Sequence, residues 1–157
     1  MLTGRKTVHA PLTRQQYETL ASFRYALRRF LRFSEQAARS AGLTPQQHQA
    51  LLAIKGYPDG EQISVGALSE RLQLRHHTTV ELVDRLVQLQ LVRRETDRRD
   101  RRRVFLRMAG GGERVLGALS AAHRDELRRV GPELTALLKR LQGVSAAGRA
   151  RNPTAGH

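Results

Sequence analysis

Between Arg93 and Arg107 the chain sets eight arginines against three carboxylates, those of Glu95, Asp97 and Asp100. Charge of one sign concentrated in so few residues repels itself unless a polyanion or interleaved carboxylates offset it. Towards the end of this stretch Val104, Leu106 and Met108 alternate with their neighbours at the two-residue period of a strand, and Leu91 to Thr96 supplies a short stretch before the loop. The arginine-rich loop around Asp97 to Asp100 therefore reads as the tip of a β-hairpin, and an anionic ligand is expected for it.

Elsewhere the apolar residues have helical spacing. From Thr13 to about Ser40, positions Tyr17, Leu20, Leu27, Leu31, Ala38 and Ala41 recur at three, four or seven residues, and Thr13 with Gln16 has the spacing of a capping box. Thr44-Pro45-Gln46-Gln47 is a second capping box with proline at the first helical position, and it opens a helix over roughly 45–55 that Gly56 stops. The stretch from Tyr57 to Gly60 is a turn, after which Ser64 caps a short helix to Leu72 with Val65, Leu68 and Leu72 facing inward. A fourth helix is expected from about His76 to Gln90, burying Leu82, Val83, Leu86 and Leu89. Beyond Gly110-Gly111-Gly112, residues Val115, Leu116, Leu119, His123, Leu127 and Val130 restore the helical period, and Gly131-Pro132 is expected to break it before a last helix to about Leu141. The order is ααααββαα, mainly α with a small β-hairpin, and residues 1–12 and 143–157 read as mobile tails.

Charge and residue usage narrow the chemistry. Lys and Arg number 28 against 14 Asp and Glu, a net charge of +14, so nucleic acid is the first partner to consider. No run approaches the ~18 apolar residues of a spanning helix and no apolar signal segment opens the chain, so a cytoplasmic protein without membrane association is expected. The absence of cysteine excludes disulfides, thiolate nucleophiles and Cys-ligated zinc. The six histidines show no ligand spacing such as HExxH, so neither a metal site nor a catalytic role is expected, and no glycine motif for a nucleotide cofactor is present. His48 and His123 each fall on an apolar helical stripe, where packing is the ordinary role.

Two short helices in tight succession, followed at once by a basic hairpin, form a winged helix-turn-helix. In that arrangement the second helix enters a major groove and the hairpin reaches the neighbouring backbone or minor groove. Here residues 64–72 would position and residues 76–89 would read, with His77, Thr78, Glu81 and Arg85 outward. Thr can meet either base edge, Glu can accept from cytosine N4, and the helix N-terminus favours phosphate. The plainer alternative for Glu81 is an ion pair with Arg85 one turn on, and for the histidines simple solvation. Asp97 and Asp100 are expected to hold selected guanidinium groups, leaving Arg98, Arg99 or Arg101 to enter a minor groove or grip phosphates. Aromatic residues make up only 4% of the chain and none interleave with the arginines, which favours double-stranded DNA over stacked single strands. An architectural or RNA-binding basic protein without effector control is the alternative.

Leu43-Thr44-Pro45-Gln46-Gln47, Leu68-Ser69-Glu70-Arg71-Leu72, Val83-Asp84-Arg85-Leu86, Leu91-Val92-Arg93-Arg94 and Asp97-x-x-Asp100-Arg101-Arg102, in this order and spacing, resemble the MarR family of transcriptional regulators over about residues 13–141. The resemblance implies a homodimer with intertwined terminal helices, paired winged helices on a pseudopalindrome, and release by a small aromatic or phenolic effector. The implied organisation is a tail at 1–12, dimerisation helices at 13–42 and 113–141, a DNA-binding unit at 43–112 and a tail at 143–157. Carried over, the DNA-reading positions are Arg75, His76, His77, Thr78 and Glu81 on the helix, with Arg98, Arg99 and Arg101 on the wing. For the effector, a small aromatic anion, the local features are Arg24 and Arg28 beside Phe23, Tyr25 and Leu27, and His48 one turn from Leu51 and Leu52. The chain departs from the family where Arg75-His76-His77 replaces a Ser-Pro-Ser type cap, and where Gly110-Gly111-Gly112 replaces a Thr-Glu-Glu helix start, a change expected to loosen the link between wing and terminal helices.

Overall fold

Both capping boxes form as spaced. Thr13 Oγ1 accepts from Gln16 N while Gln16 Oε1 accepts from Thr13 N, and Thr44 and Gln47 repeat the exchange at 3.1 and 2.9 Å. A computed structural model describes residues 11–58 and 62–147. It comprises α1 (Arg14–Ser40), α2 (Pro45–Lys55), β1 (Ile63–Ser64), α3 (Val65–Leu72), α4 (His76–Gln88), β2 (Val92–Thr96), β3 (Val104–Met108) and α5 (Gly110–Ala147). Three helices end in the same way, through a residue of positive φ that lets the next amide reach back five residues. Gly42 (φ 79), Gln73 (φ 54) and Gln90 (φ 58) take that position, and Leu43, Leu74 and Leu91 donate to Ala38, Ser69 and Leu86.

The chain divides into two compact units. One runs from Leu31 to Glu126, and the other combines the described residues up to Phe30 with those from Leu127 on. In the larger unit β1, β3 and β2 form an antiparallel sheet in that order, with Val92 opposite Met108, Arg94 opposite Leu106 and Ile63 also opposite Leu106. Its core gathers Leu51, Ile63, Leu68, Val83, Leu86, Val92, Leu106, Leu116 and Leu119, all nearly or wholly buried. In the smaller unit Ala26, Val130 and Leu137 are buried, while Tyr17, Leu20, Tyr25, Leu27, Leu127 and Leu138 remain exposed.

Four expectations are corrected. Gly131-Pro132 does not end a helix, because α5 continues through Pro132 to Ala147. Proline removes one backbone bond, but the apolar stripe through Val130, Leu134 and Leu137 keeps its period across it and buries Val130 and Leu137. Residues 143–147, read as part of a tail, are likewise helical, while 1–10 and 148–157 lie outside the described residues. Leu89 is 53% exposed, since α4 stops at Gln88 and the turn at Gln90 brings Leu91 to the core in its place. Strand β1 was not anticipated, because two residues carry no period.

The three glycines at the start of α5 do not loosen it. A Cβ on Gly112 would stand 2.1 Å from the backbone oxygen of Leu91, and one on Gly111 would stand 3.0 Å from that of Gln90. Only residues without side chains let α5 start this close to the α4–β2 connection.

Candidate nucleic-acid interface

Helix α3 stops at Gln73, whose left-handed backbone is supported by its own side chain donating to Glu70 O at 2.7 Å. Leu74 and Arg75 complete the connection, and α4 begins with Arg75 as an extended N-cap (φ −68, ψ 149) that makes no side-chain capping bond. The amides of the first turn of a helix have no partner within it, so those of His76, His77 and Thr78 form a positive end beside exposed side chains. Arg75, His76, His77, Glu81 and Arg85 are exposed and Thr78 is half-buried. Thr79 is wholly buried and donates its hydroxyl to Arg75 O at 3.1 Å, while Leu82, Val83 and Leu86 press the opposite side of the helix into the core. All five residues expected to read DNA thus stand at the N-terminal end of α4, within its N-cap and first two turns. Among the described residues the Glu81–Arg85 pair does not form; the neighbouring Asp84 takes Arg94 of β2 at 2.6 Å and ties the helix to the hairpin.

The hairpin tip is ordered by its aspartates, but not as expected. Asp97 Oδ1 accepts from the backbone amide of Arg99 at 2.7 Å and Asp100 Oδ1 from that of Arg102 at 3.0 Å; neither holds a guanidinium. A short carboxylate reaches the amide two residues on with little loss of freedom, which is the usual turn chemistry of Asp. Backbone bonds from Asp97 N to Arg103 O and from Arg103 N to Asp100 O, both 2.9 Å, close the loop. Arg98, Arg99 and Arg101 project exposed, and so do Arg102 and Arg103, which the reading of the sequence passed over. Among the described residues none of these five makes an ion pair. Lower on the hairpin, Glu95 accepts from the Nε of both Arg93 (2.9 Å) and Arg107. Partial desolvation alone would raise the Glu95 carboxyl, and the hydrogen bonds and charges of the two arginines outweigh it and hold the group below its ordinary range.

The residues considered for an effector fall in different units. Arg24 and Arg28 are exposed on α1 in the smaller unit, beside half-buried Phe23 and exposed Tyr25 and Leu27. His48 is in the larger unit and is only 4% exposed, its ring 4.7 Å from that of His123. His123 Nδ1 lies 2.7 Å from Leu119 O and must donate to it, so in the neutral ring Nε2 accepts from the Ser34 hydroxyl, also at 2.7 Å. The two histidines pack against each other as their place on apolar stripes suggested. Burial, and then the charge of His123, lower the pKa of His48 from its ordinary value near 6.5. The folded protein therefore keeps His48 neutral where the unfolded chain takes up a proton. Stability falls as pH drops through about 6.5 and goes on falling until the lowered folded value is reached. Melting temperatures between pH 7.5 and 5 should decline more steeply for the native chain than for His48→Leu; parallel curves would mean that burying this imidazole costs nothing.

Comparison with known proteins agrees with this geometry. Residues 41–103 match the sequence profile of the MarR family. An uncharacterized HTH-type transcriptional regulator of Bacillus subtilis (strain 168), YsmB, is 29% identical over 121 residues, which span 74% of this chain and 81% of the relative. A MarR family protein from Bacillus stearothermophilus superposes with a TM-score of 0.69 at 23% identity, over 89% of this chain and 99% of that one. The F27L mutant of S. aureus MepR, solved bound to an oligodeoxyribonucleotide, superposes at 0.61 with 16% identity, over 88% and 96% of the two chains. No helix among the described residues is long and apolar enough to cross a membrane. Residues 41–103 are thus similar to the MarR family of transcriptional regulators, and the chain as a whole has the fold of MarR family proteins.

Proposed function

We propose that this protein binds a pseudopalindromic site in double-stranded DNA as a homodimer, represses transcription there, and is released by a small aromatic anion. The observation that carries the DNA reading is the pairing of an exposed, uncapped α4 N-terminus with a hairpin tip whose arginines are committed to no carboxylate. Arg75, His76, His77, Thr78 and Glu81 are then the base-reading and phosphate-positioning set, and Arg98, Arg99 and Arg101, joined by Arg102 and Arg103, supply attraction along the backbone. Asp97 and Asp100 act on the wing by fixing its turn. The dimer reading is supported by the apolar residues that α1 and α5 leave exposed in one chain, Tyr17, Leu20, Leu27, Leu127 and Leu138. Arg24 and Arg28 are the cations proposed for the effector, supported by their exposure beside Tyr25 and Leu27.

Selection of bound duplexes from random DNA, followed by sedimentation of the complex, tests the reading in one series. Two inverted half-sites with centres about ten base pairs apart, occupied by two chains, are expected. Recovery of no consensus, or equal competition by structured RNA, would favour an architectural or RNA-binding protein instead.

A further inference from the structure

Helix α4 opens on two consecutive histidines, His76 and His77. Both are exposed, and neither ring makes a hydrogen bond, ion pair or ring contact among the described residues. In this they differ from His48 and His123, which pack against each other. The charged groups nearest along the chain are Arg75, the N-cap, and Glu81, one turn beyond His77, and their charges cancel. On the elements packed against α4, Glu70 and Arg71 line a cleft with Tyr57, Lys55 pairs with Glu113, Arg93 with Glu95 and Arg94 with Asp84, and His48 is buried. No carboxylate among the described residues holds either imidazole.

Histidine is the side chain whose ordinary charge change falls between pH 5 and 8. A proton on either ring of the free chain meets the positive end of the helix, made by the amides of His76, His77 and Thr78, with Arg75 at the cap. Phosphates reverse the sign of these surroundings. They favour the charged ring and accept from it a charge-assisted hydrogen bond, about twice as strong as a neutral one. By reciprocity, a partner that favours the proton is itself bound more tightly when the proton is there. The wing has no such dependence, because guanidinium groups stay charged at every working pH.

We propose that His76 and His77 couple DNA binding to proton uptake, so that this protein holds its site more tightly in mildly acidic solution. The protons come from the solvent, go onto the unprotonated ring nitrogen of each imidazole, and leave when the DNA leaves. The proposal rests on the DNA reading of α4 and adds regulation to it: the attraction supplied by α4 varies with pH while that of the wing does not.

Binding of the full chain to one fixed duplex, at constant ionic strength between pH 8 and 6, tests the coupling. Affinity should rise about tenfold per bound chain across that range. The slope of log K against log salt should steepen by about one per bound chain as the rings gain charge. Calorimetry at pH 7 in buffers of different ionisation heat should find about one proton taken up per chain. In His76→Gln with His77→Gln, which keeps hydrogen-bonding groups but cannot take the proton, uptake and pH dependence should nearly vanish, although His9, His48, His123 and His157 remain. Melting curves at each pH establish that both chains are folded. Where the double variant binds too weakly to measure, the ring resonances of the native chain decide, since both histidines should keep their protons to higher pH in the complex. Tight duplex binding without proton uptake, uptake undiminished in the double variant, or ring titrations unmoved by DNA overturns this proposal alone. Failure to bind duplex DNA at any pH overturns the DNA reading and this proposal with it.

Discussion

Replacing Gly112 by alanine will cost about 3 kcal/mol or more and lower the melting temperature by roughly 10 °C. The added methyl would sit 2.1 Å from Leu91 O and 3.0 Å from the end of the Met108 side chain. The methionine can rotate away, but the carbonyl cannot. Leu91 O accepts from Ala109 N at 3.0 Å, and Leu91 N donates to Leu86 O at 2.9 Å, so moving the oxygen breaks the junctions that join α4, β2 and the start of α5. Overpacking costs ~1–3 kcal/mol where neighbours can yield, and each lost backbone bond adds about 1 kcal/mol. Gly117→Ala is the matched control, because nothing lies within 4 Å of its added methyl in mid-helix. There, alanine should gain ~0.5–1 kcal/mol through helix propensity alone. Thermal or urea unfolding of the two variants should therefore move in opposite directions. If Gly112→Ala melted with the native chain, the close approach of α5 to Leu91 would not exist in solution.

The same glycines mark where reading the sequence stopped. Helices with a full stripe and a reciprocal cap, such as α1 with Thr13–Gln16 and α2 with Thr44–Gln47, were legible because both signals are local. The hairpin was legible because Leu106 alternates against a charge run that cannot be buried. Gly110 to Gly112 looked like a flexible joint, since glycine permits motion and close contact equally and only the position of Leu91 O decides between them. Gly131-Pro132 looked like a stop because local punctuation does not record the burial of Val130 and Leu137 on either side. On the wing, the charge run suggested that Asp97 and Asp100 hold guanidinium groups, and nothing in their spacing showed that they would take the amides of Arg99 and Arg102 instead. That choice frees Arg102 and Arg103 as well. Pairs set by tertiary position, such as Arg94 with Asp84 and Lys55 with Glu113, left no trace in the spacing of residues.

Removing the wing charges should have the largest functional effect. In the triple variant Arg98→Ala, Arg99→Ala and Arg101→Ala, three exposed and unpaired cations are lost per chain without disturbing the turn, whose bonds run through Asp97, Asp100 and the backbone. If each neutralises one phosphate, the slope of log K against log salt should fall by about three per bound chain. Affinity in 0.1 M salt should fall by several hundred-fold per bound chain, for specific and unrelated duplexes alike. Thr78→Ala provides the contrast. Half-buried on α4 beside the exposed His77 and Glu81, it should leave the salt slope unchanged and relax preference at one or two base pairs, each worth ~1–3 kcal/mol. The two variants separate attraction from discrimination, and binding to the selected site and to a scrambled duplex across a salt series measures both. A triple variant that kept its affinity and slope would remove the hairpin from the interface. The exposed arginines would then need another anion, and α4 would have to supply both attraction and discrimination from Arg75, Arg85 and its uncapped N-terminus.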